Sequence, residues 1–452
     1  MMKKNKLLFL LIVCGQQAIA QLNPAIEHWM INSTGITGRH YIQGNSTPIN
    51  ETTMANVQTV QYSNNWVYVT ATGVPSYITG PFMDGNPSFA TNQNAIFKMP
   101  LNPSQNTGTS TATNGGNIGV FINGVALFDY RDGVAWNTST NALCGGPGNP
   151  PCPGGPTATM SWNRDAIPAE KAGFDCSKGH PAMGNYHHHQ NPSAFKLDLT
   201  VISNVCDLYD ADGLYVIDST VHSPLIGYAY DGFPIYGAYG FKNADGTGGI
   251  TRIKSGYQLR NITARTIWAD GTDVPDGPTV STTYPLGYFR EDYEFINHSQ
   301  SDYLDIHNGR VCVTPEYPNG IYCYFAPVNE EWNSAYPYVV GPTFYGVKTA
   351  AKVTAISETV TTYTSNVGIN ELKENDWSVY PNPSNDIIMV QVNDLTNQSY
   401  TVELYDALGK LIQVKQIVQG STIAYLQVDT LYKGIYQVKI SGQAGTKKLV
   451  IE

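Results

Sequence analysis

The sequence predicts an all-β protein, in which an irregular, loop-rich β domain precedes a small β-sandwich. Glycine and proline account for 43 and 27 of the 452 residues, and tyrosine for another 30. This composition favours short strands and many turns, because glycine and proline weaken helix interiors whereas tyrosine suits strands. Apolar and polar residues alternate over several segments, and amphipathic helical stretches are scarce. A chain of this length has room for two or three domains.

The charge balance and the missing motifs exclude several function classes. The chain carries 26 Lys+Arg against 36 Asp+Glu, a formal net charge of −10. An acidic surface repels phosphate backbones, so we expect no nucleic-acid partner. The sequence contains no G-x-S-x-G elbow, no Walker loop and no H-E-x-x-H helix, which are the marks of common hydrolases, nucleotide binders and zincins. Whether the protein catalyses any reaction stays open.

The first twenty residues are typical of a secretory signal peptide. Three lysines precede the apolar run 7–13, and the segment closes on Ala18-Ile19-Ala20, an A-x-A cleavage pattern. We therefore assign residues 1–20 to the signal and expect the mature chain to begin at Gln21. The alternative, a lipidated Cys14, is disfavoured by the bulky valine that precedes it. No later apolar run approaches the ~20 residues that cross a bilayer, so we expect no transmembrane segment.

Composition changes twice along the mature chain. A block rich in tyrosine and glycine covers residues 21–346, and residues 347–372 are rich in threonine, serine and alanine, which is typical of a linker. Residues 373–452 alternate apolar and polar side chains between turns, which predicts a small antiparallel sandwich. Its predicted strands are 387–392, 401–405, 411–418 and 435–440.

Four short elements follow one another in this last block. They are Tyr380-Pro381-Asn382-Pro383, the turn Gly409-Lys410, the strand start Gly434-x-Tyr436, and a basic final strand. Together they resemble the C-terminal sorting domain of type IX secretion cargo from the Bacteroidetes. The resemblance implies contact with the type IX secretion machinery through residues 373–452, export through the periplasm and outer membrane, and a secreted or surface location. An ordinary adhesive immunoglobulin-like module is the alternative, but it does not share this set of turns.

Six cysteines remain once the signal is removed, an even number that predicts three disulfides in an oxidising compartment. One pair spans a Gly/Pro-rich loop and another an apparent hairpin, which leaves the third by elimination. A zinc-thiolate site is less favoured, since no pair has the two-residue gap of a zinc ribbon. The predicted pairs are Cys144 with Cys152, Cys176 with Cys206, and Cys312 with Cys323.

Four of the nine histidines lie between positions 180 and 189. In a strand, side chains two apart share a face, so His187 and His189 point one way and His188 the other. A turn after His180 can return that residue to the same side. Neutral imidazoles suit copper and zinc, so this hairpin is a candidate site for one such ion. The alternative is a solvated polar turn, because a His-rich tract is only compositional evidence.

Motifs around these histidines occur in a recognisable order. They are Gly179-His180-Pro181, Tyr186-His187-His188-His189, His222-Ser223-Pro224 and the Asp-Gly-Phe-Pro-Ile-Tyr-Gly segment at 231–237. In this they resemble the YHYH family of secreted proteins, with similarity from about residue 57 to residue 346. The resemblance implies no particular reaction. It supports the histidine site, and it makes the loop residue His222 a candidate fourth ligand.

His188 departs from the family, which has tyrosine at this position. If His188 points away from His187 and His189, the change leaves the ligands intact, and a buried His188 then needs a hydrogen-bond partner on the opposite face. Asp231 is predicted to form a turn through its own backbone, and a role as ligand or general base is the alternative. Met183 offers a thioether to copper, although a lone methionine in a turn is usually incidental.

Two functions from different classes remain. The first is a secreted protein that binds copper or zinc through His180, His187, His189 and His222. The second is a cell-surface adhesion or glycan-binding β-module without catalytic activity, whose tyrosines form a contact face. The metal content of the purified protein distinguishes them.

Overall fold

The computed structural model describes residues 22–452 except 86–87, 156–159, 365–376, 393–399, 408, 418–421 and 441–445. The predicted signal peptide, residues 1–20, lies outside the described residues. Within the described ranges the α-helices are short, α1 (Pro24–Glu27) and α2 (Ala166–Glu170), and strands dominate, which confirms the all-β prediction. No helix among these residues is long and apolar enough to cross a membrane. The chain divides into two compact units, Met1–Tyr363 and Thr364–Glu452.

Short strands build the first unit. They are β1 (Thr37–Ile42), β2 (Asn45–Met54), β3 (Val57–Tyr62), β4 (Trp66–Ala71), β5 (Ile78–Thr79), β6 (Ala95–Pro100), β7 (Thr111–Ala112), β8 (Asn117–Phe121), β9 (Ala126–Phe128), β10 (Arg131–Asn137), β11 (Ala142–Cys144), β12 (Asn163–Asp165), β13 (His180–Ala182), β14 (Asn185–His188), β15 (Leu225–Ala229), β16 (Pro234–Tyr236), β17 (Tyr239–Phe241), β18 (Ile250–Arg252), β19 (Tyr257–Leu259), β20 (Tyr293–Phe295), β21 (Gly309–Cys312), β22 (Ile321–Phe325), β23 (Thr343–Phe344), β24 (Ala351–Val353) and β25 (Thr361–Thr362). The 3₁₀ helices are Lys171–Gly173, Phe195–Leu197, Val205–Asp207 and Arg290–Asp292.

An eight-stranded sheet in the order β13-β14-β9-β8-β15-β16-β22-β21 carries the histidine segment. Its central strands β8, β15, β16 and β22 are buried almost throughout. Their near-continuous apolar runs suit a sheet that is covered on both faces. His180 lies on β13, His187 and His188 lie on β14, and His189 directly follows β14, at the edge where β14 pairs in parallel with β9. The buried sheet thus anchors the edge hairpin.

A five-stranded sheet, β24-β6-β4-β3-β25, includes part of the predicted linker. β24 pairs with β6 and β25 pairs with β3, at the two edges of the sheet. The first part of the predicted linker, residues 347–363, therefore belongs to the first unit instead of lying between domains. The sequence predicts a linker here because both edge strands are largely exposed, and exposed strands have the same polar composition as a linker.

Two of the three predicted disulfides are formed. Cys144 is bonded to Cys152 and Cys176 to Cys206, as predicted. The third prediction is wrong, because Cys312 and Cys323 are free, buried thiols. They lie on paired strands, but the register sets Cys312 opposite Ile321 and Cys323 opposite Arg310. The two thiols contact each other but are not bonded. Diagonal neighbours of this kind have Cα atoms about 7–8 Å apart, longer than the usual Cα separation in a disulfide.

The second unit is a small sandwich of two antiparallel sheets, β26-β27-β30 and β29-β28-β31-β32. Alternate residues such as Ile388 and Val390 are fully buried, and they pack against Val402 and Val438 from the other sheet in one core. The alternation that predicts the sandwich is therefore confirmed. The strands are β26 (Trp377–Tyr380), β27 (Ile387–Val392), β28 (Tyr400–Asp406), β29 (Leu411–Ile417), β30 (Ile423–Gln427), β31 (Gly434–Ile440) and β32 (Thr446–Ile451).

Candidate metal site

A tight hairpin presents the histidines. β13 and β14 pair in antiparallel register, with His180 directly opposite His187. The two residues of the turn, Met183 and Gly184, have positive φ angles of 49° and 83°, as a type I′ turn requires. The Met183 side chain is 97% exposed and points into solvent. The turn therefore brings His180 beside His187 and leaves the methionine outside the site.

Three imidazole nitrogens converge on one small volume. Nε2 of His189 lies 3.1 Å from Nε2 of His187 and 3.4 Å from Nε2 of His180. The ligand atoms of all three residues lie within 4.8 Å of one another, and all three residues are buried. A tetrahedral zinc ion with metal–nitrogen bonds of about 2.0–2.1 Å separates its ligand atoms by about 3.3 Å. The 3.1 and 3.4 Å separations of these nitrogens are close to that value.

Hydrogen bonds to the backbone orient two of these rings. Nδ1 of His187 donates to the carbonyl oxygen of Asn185 at 2.9 Å, and Nδ1 of His189 donates to that of Asp129 at 2.6 Å. A carbonyl oxygen only accepts, so the proton lies on Nδ1 and a neutral ring offers its Nε2 lone pair. Histidine ligands of metal ions are commonly held in this way. The lone pairs of His187 and His189 then face each other, an arrangement that a cation between them stabilises.

Aromatic side chains enclose the histidines and dehydrate them. Phe128 stacks on the His187 ring with centroids 3.8 Å apart, and Phe174 meets the His180 ring edge-on at 4.9 Å. Burial lowers the pKa of His187 well below its usual value, and repulsion from His189 and His180 lowers it further. The neutral imidazole, which is the metal-binding form, is therefore favoured at this position.

Glu170 enters the same volume from a different element, the end of α2. Its Oε2 lies 3.3 Å from Nε2 of His180 and 3.2 Å from Nε2 of His189. Burial acts to raise the pKa of this carboxyl, but contact with the two histidines holds the pKa well below the usual range. Burial likewise acts to lower the pKa of His189, and Glu170 raises it above the usual value. The site therefore contains an ionised carboxylate.

The sequence offers no signal for Glu170. It belongs to a five-residue helix, too short for a readable periodicity. Asp165 caps that helix by accepting the backbone N–H of Ile167 at 2.9 Å, and Tyr338 donates its hydroxyl proton to Asp165 at 2.6 Å. Glu170 thus reaches the hairpin through contacts between distant parts of the chain.

His222, the predicted fourth ligand, is not part of this group. Its ring lies against Tyr236, Phe241 and Phe325, with centroids 5.0–6.5 Å away. Its Nδ1 donates to the carbonyl oxygen of Ser223 at 2.8 Å. His222 is a candidate only because of the order of motifs along the chain. That order contains no information on distances in space, so it does not show that His222 and the hairpin lie in separate pockets.

His188 lies on the opposite face of β14, as strand alternation predicts. The side chain is buried, its Nε2 lies 2.6 Å from the Tyr77 hydroxyl, and its Nδ1 lies 3.1 Å from the carbonyl oxygen of Lys178. Burial lowers the pKa of His188 to about 3. The residue that replaces the family's tyrosine therefore finds polar partners in the core and does not reach the candidate ligands.

Asp231 forms the predicted turn. One carboxylate oxygen accepts the backbone N–H of Phe233 at 3.3 Å, and the other accepts the Tyr324 hydroxyl at 2.6 Å and the Gly346 N–H at 2.8 Å. These bonds saturate the carboxylate within the core, which leaves it a structural residue.

The tyrosines of the first unit pack inside it. From residue 22 to Tyr363, every tyrosine of the described chain is buried or half-buried. Many stack on one another, such as Tyr293 on Tyr336 with centroids 3.9 Å apart and Tyr322 on Tyr345 at 3.5 Å. The adhesion hypothesis therefore lacks the exposed tyrosine face that it expects on this unit.

The fold and the sorting tail define an exported, all-β protein with a group of three buried histidines that could hold a metal ion. Residues 96–338, more than half of the chain, match the family model described as YHYH protein, and the chain belongs to this family. Residues 378–452 match the secretion system C-terminal sorting domain. This domain directs the protein across the outer membrane to the cell surface or the medium, and it implies contact with the secretion machinery. No curated protein matches the chain.

Proposed function

We propose that this protein is an exported metal-binding protein that holds one copper or zinc ion through His180, His187 and His189. The observation that carries the proposal is the convergence of one ring nitrogen from each of the three histidines, all within 4.8 Å of one another, on rings that are buried. Backbone carbonyls hold two of these rings with their Nδ1–H groups turned away from the centre. This is the arrangement of a preorganised ligand set.

A purely structural histidine cluster explains the geometry less well. Buried polar atoms normally have a hydrogen-bond partner, and an unpaired one costs about 1–3 kcal/mol. Nε2 of His187 and Nε2 of His189 face each other at 3.1 Å while both Nδ1–H groups donate elsewhere. Neutral rings in this state bring acceptor against acceptor, and a protonated His189 has a single Nε2–H for three neighbouring acceptors, Nε2 of His187, Nε2 of His180 and Oε2 of Glu170. A bound cation satisfies all of these atoms at once.

The ligand atoms limit which metal ions suit the site. Imidazole nitrogens suit zinc, copper and other late first-row ions, whereas magnesium and calcium take oxygen ligands. Ligands on one hairpin, walled by Phe128 and Phe174, favour one ion in a fixed geometry. Copper and zinc are therefore the two ions to test first.

The experiment is a metal titration of the exported protein, purified without a histidine tag. We expect one equivalent of Zn²⁺ or Cu²⁺ to bind and His187→Ala with His189→Ala to abolish binding. His222→Ala is the matched control, because its ring lies in a separate pocket, and it should keep the wild-type stoichiometry. A wild-type protein that takes up neither ion would overturn the proposal.

A further inference from the structure

The Glu170 carboxylate is directed into the histidine group from outside the hairpin. Its Oε2 is buried, and it has no hydrogen-bond partner in the described chain apart from its contacts with His180 and His189. The side chain as a whole keeps 26% of its surface exposed. Glu170 therefore has one buried oxygen beside the histidines, while the rest of its side chain is partly exposed to solvent.

These contacts place acceptor atoms against each other. Nδ1 of His189 already donates to the carbonyl oxygen of Asp129, so a neutral ring presents a lone pair to Glu170. Four contacts join the carboxylate oxygen and the three nitrogens, at 3.1, 3.2, 3.3 and 3.4 Å. One shared proton satisfies only one of these contacts at a time, whereas a divalent cation interacts favourably with all four atoms.

We propose that Glu170 is the fourth ligand of this ion, so that the complete set is His180, His187, His189 and Glu170. The inference rests on the proposed function and adds to it a carboxylate that no sequence motif marks. The carboxylate lies on the His180–His189 side of the group, with its Oε2 within 3.3 Å of both Nε2 atoms. Such a set fills the four positions of a tetrahedral site.

The chemistry of the fourth ligand determines which ion is favoured. A carboxylate is a hard, anionic donor, and it stabilises Zn²⁺ or Cu²⁺ more than the soft monovalent ion Cu⁺, which prefers sulfur ligands. The three histidines alone do not make this distinction as strongly. Glu170 thus makes the site selective for a divalent ion.

The test compares wild type with Glu170→Gln, which keeps the side-chain shape and removes the charge. Co²⁺ serves as the optical probe, because four-coordinate Co²⁺ absorbs visible light much more strongly than six-coordinate Co²⁺. We expect the wild type to give the strong spectrum at one equivalent. Glu170→Gln should lose or shift that spectrum, weaken Zn²⁺ binding by about 100-fold or more, and change Cu⁺ binding by less than about threefold.

The matched control is Glu330→Gln, since the Glu330 side chain is 89% exposed and pairs with Arg252 at 3.5 Å. The Glu330→Gln variant should leave the Co²⁺ spectrum and the Zn²⁺ affinity unchanged. Glu170→Ala provides a second variant, and circular dichroism verifies that each variant is folded. If both Glu170 variants keep the wild-type spectrum and affinity, Glu170 is not a ligand and this inference fails while the proposed function stands. If wild type binds no Co²⁺, Zn²⁺ or Cu²⁺, the proposed function itself fails.

Discussion

Removal of the Cys176–Cys206 disulfide should both destabilise the first unit and loosen the histidine site. The bond joins residues separated by 30 positions, and the chain-entropy relation for a loop of that length gives about 3.6 kcal/mol at 25 °C. Cys176 is fully buried and lies shortly before His180, so it fixes the chain where it enters the hairpin. Loss of the bond therefore increases the conformational entropy of the unfolded chain and also frees the segment that positions His180.

The Cys144–Cys152 bond is the natural comparison. It joins residues separated by 8 positions, and the same relation gives about 2.5 kcal/mol. Its sulfurs pack in a separate small cluster with Ala135 and Met160. We therefore expect a smaller loss of stability in this case and no effect on metal binding.

The assay uses two double variants, Cys176→Ala with Cys206→Ala and Cys144→Ala with Cys152→Ala, so that neither partner of a removed bond is left as a new thiol. Denaturant unfolding reports the free energy of unfolding of the first unit, and Zn²⁺ titration reports the site. The first variant should bind Zn²⁺ about tenfold more weakly and the second within about threefold of wild type. Equal effects of the two variants on Zn²⁺ binding would refute the argument that Cys176 positions the hairpin.

Three other predictions concern pH, the core behind β14 and processing. Burial raises the pKa of Asp231 to about 6, so the stability that this group contributes is full below about pH 4 and falls by about 3 kcal/mol as the pH rises through 6. Asp231→Asn should remove that fall, and the prediction is wrong if the free energies of unfolding of wild type and Asp231→Asn change in parallel from pH 4 to 7. His188→Ala removes the contacts to Tyr77 and the Lys178 carbonyl, and it should lower stability by about 2–4 kcal/mol in urea unfolding while the metal stoichiometry stays at one. The secreted form should begin at Gln21 and lack about the last eighty residues by intact mass, and full-length chain in the medium would count against this.

The parts of the fold that could be predicted from sequence are those fixed by local patterns. Alternation over 387–392 predicts β27 with the same bounds, because one buried face imposes a two-residue period. The hairpin at the histidines follows from the same alternation and from a glycine in the turn. The opposite orientations of His187 and His188 need no tertiary information.

The remainder depends on contacts between distant segments. Glu170 reaches the site through a helix held by Asp165 and Tyr338, and nothing near Glu170 in sequence reports that contact. Spacing between Cys312 and Cys323 predicts a hairpin, but a register offset of two residues decides against the bond. The strands β24 and β25 escape prediction because edge strands with exposed polar side chains have the composition of a linker.

The most direct test of the central claim is a crystal structure of the exported protein, grown with one equivalent of Zn²⁺ or Cu²⁺, with anomalous data collected at the absorption edge of that metal. We expect one strong anomalous peak about 2.0–2.1 Å from Nε2 of His180, His187 and His189. A peak at any other place, or no peak between these nitrogens in crystals saturated with either ion, would contradict the assignment of this hairpin as a metal site.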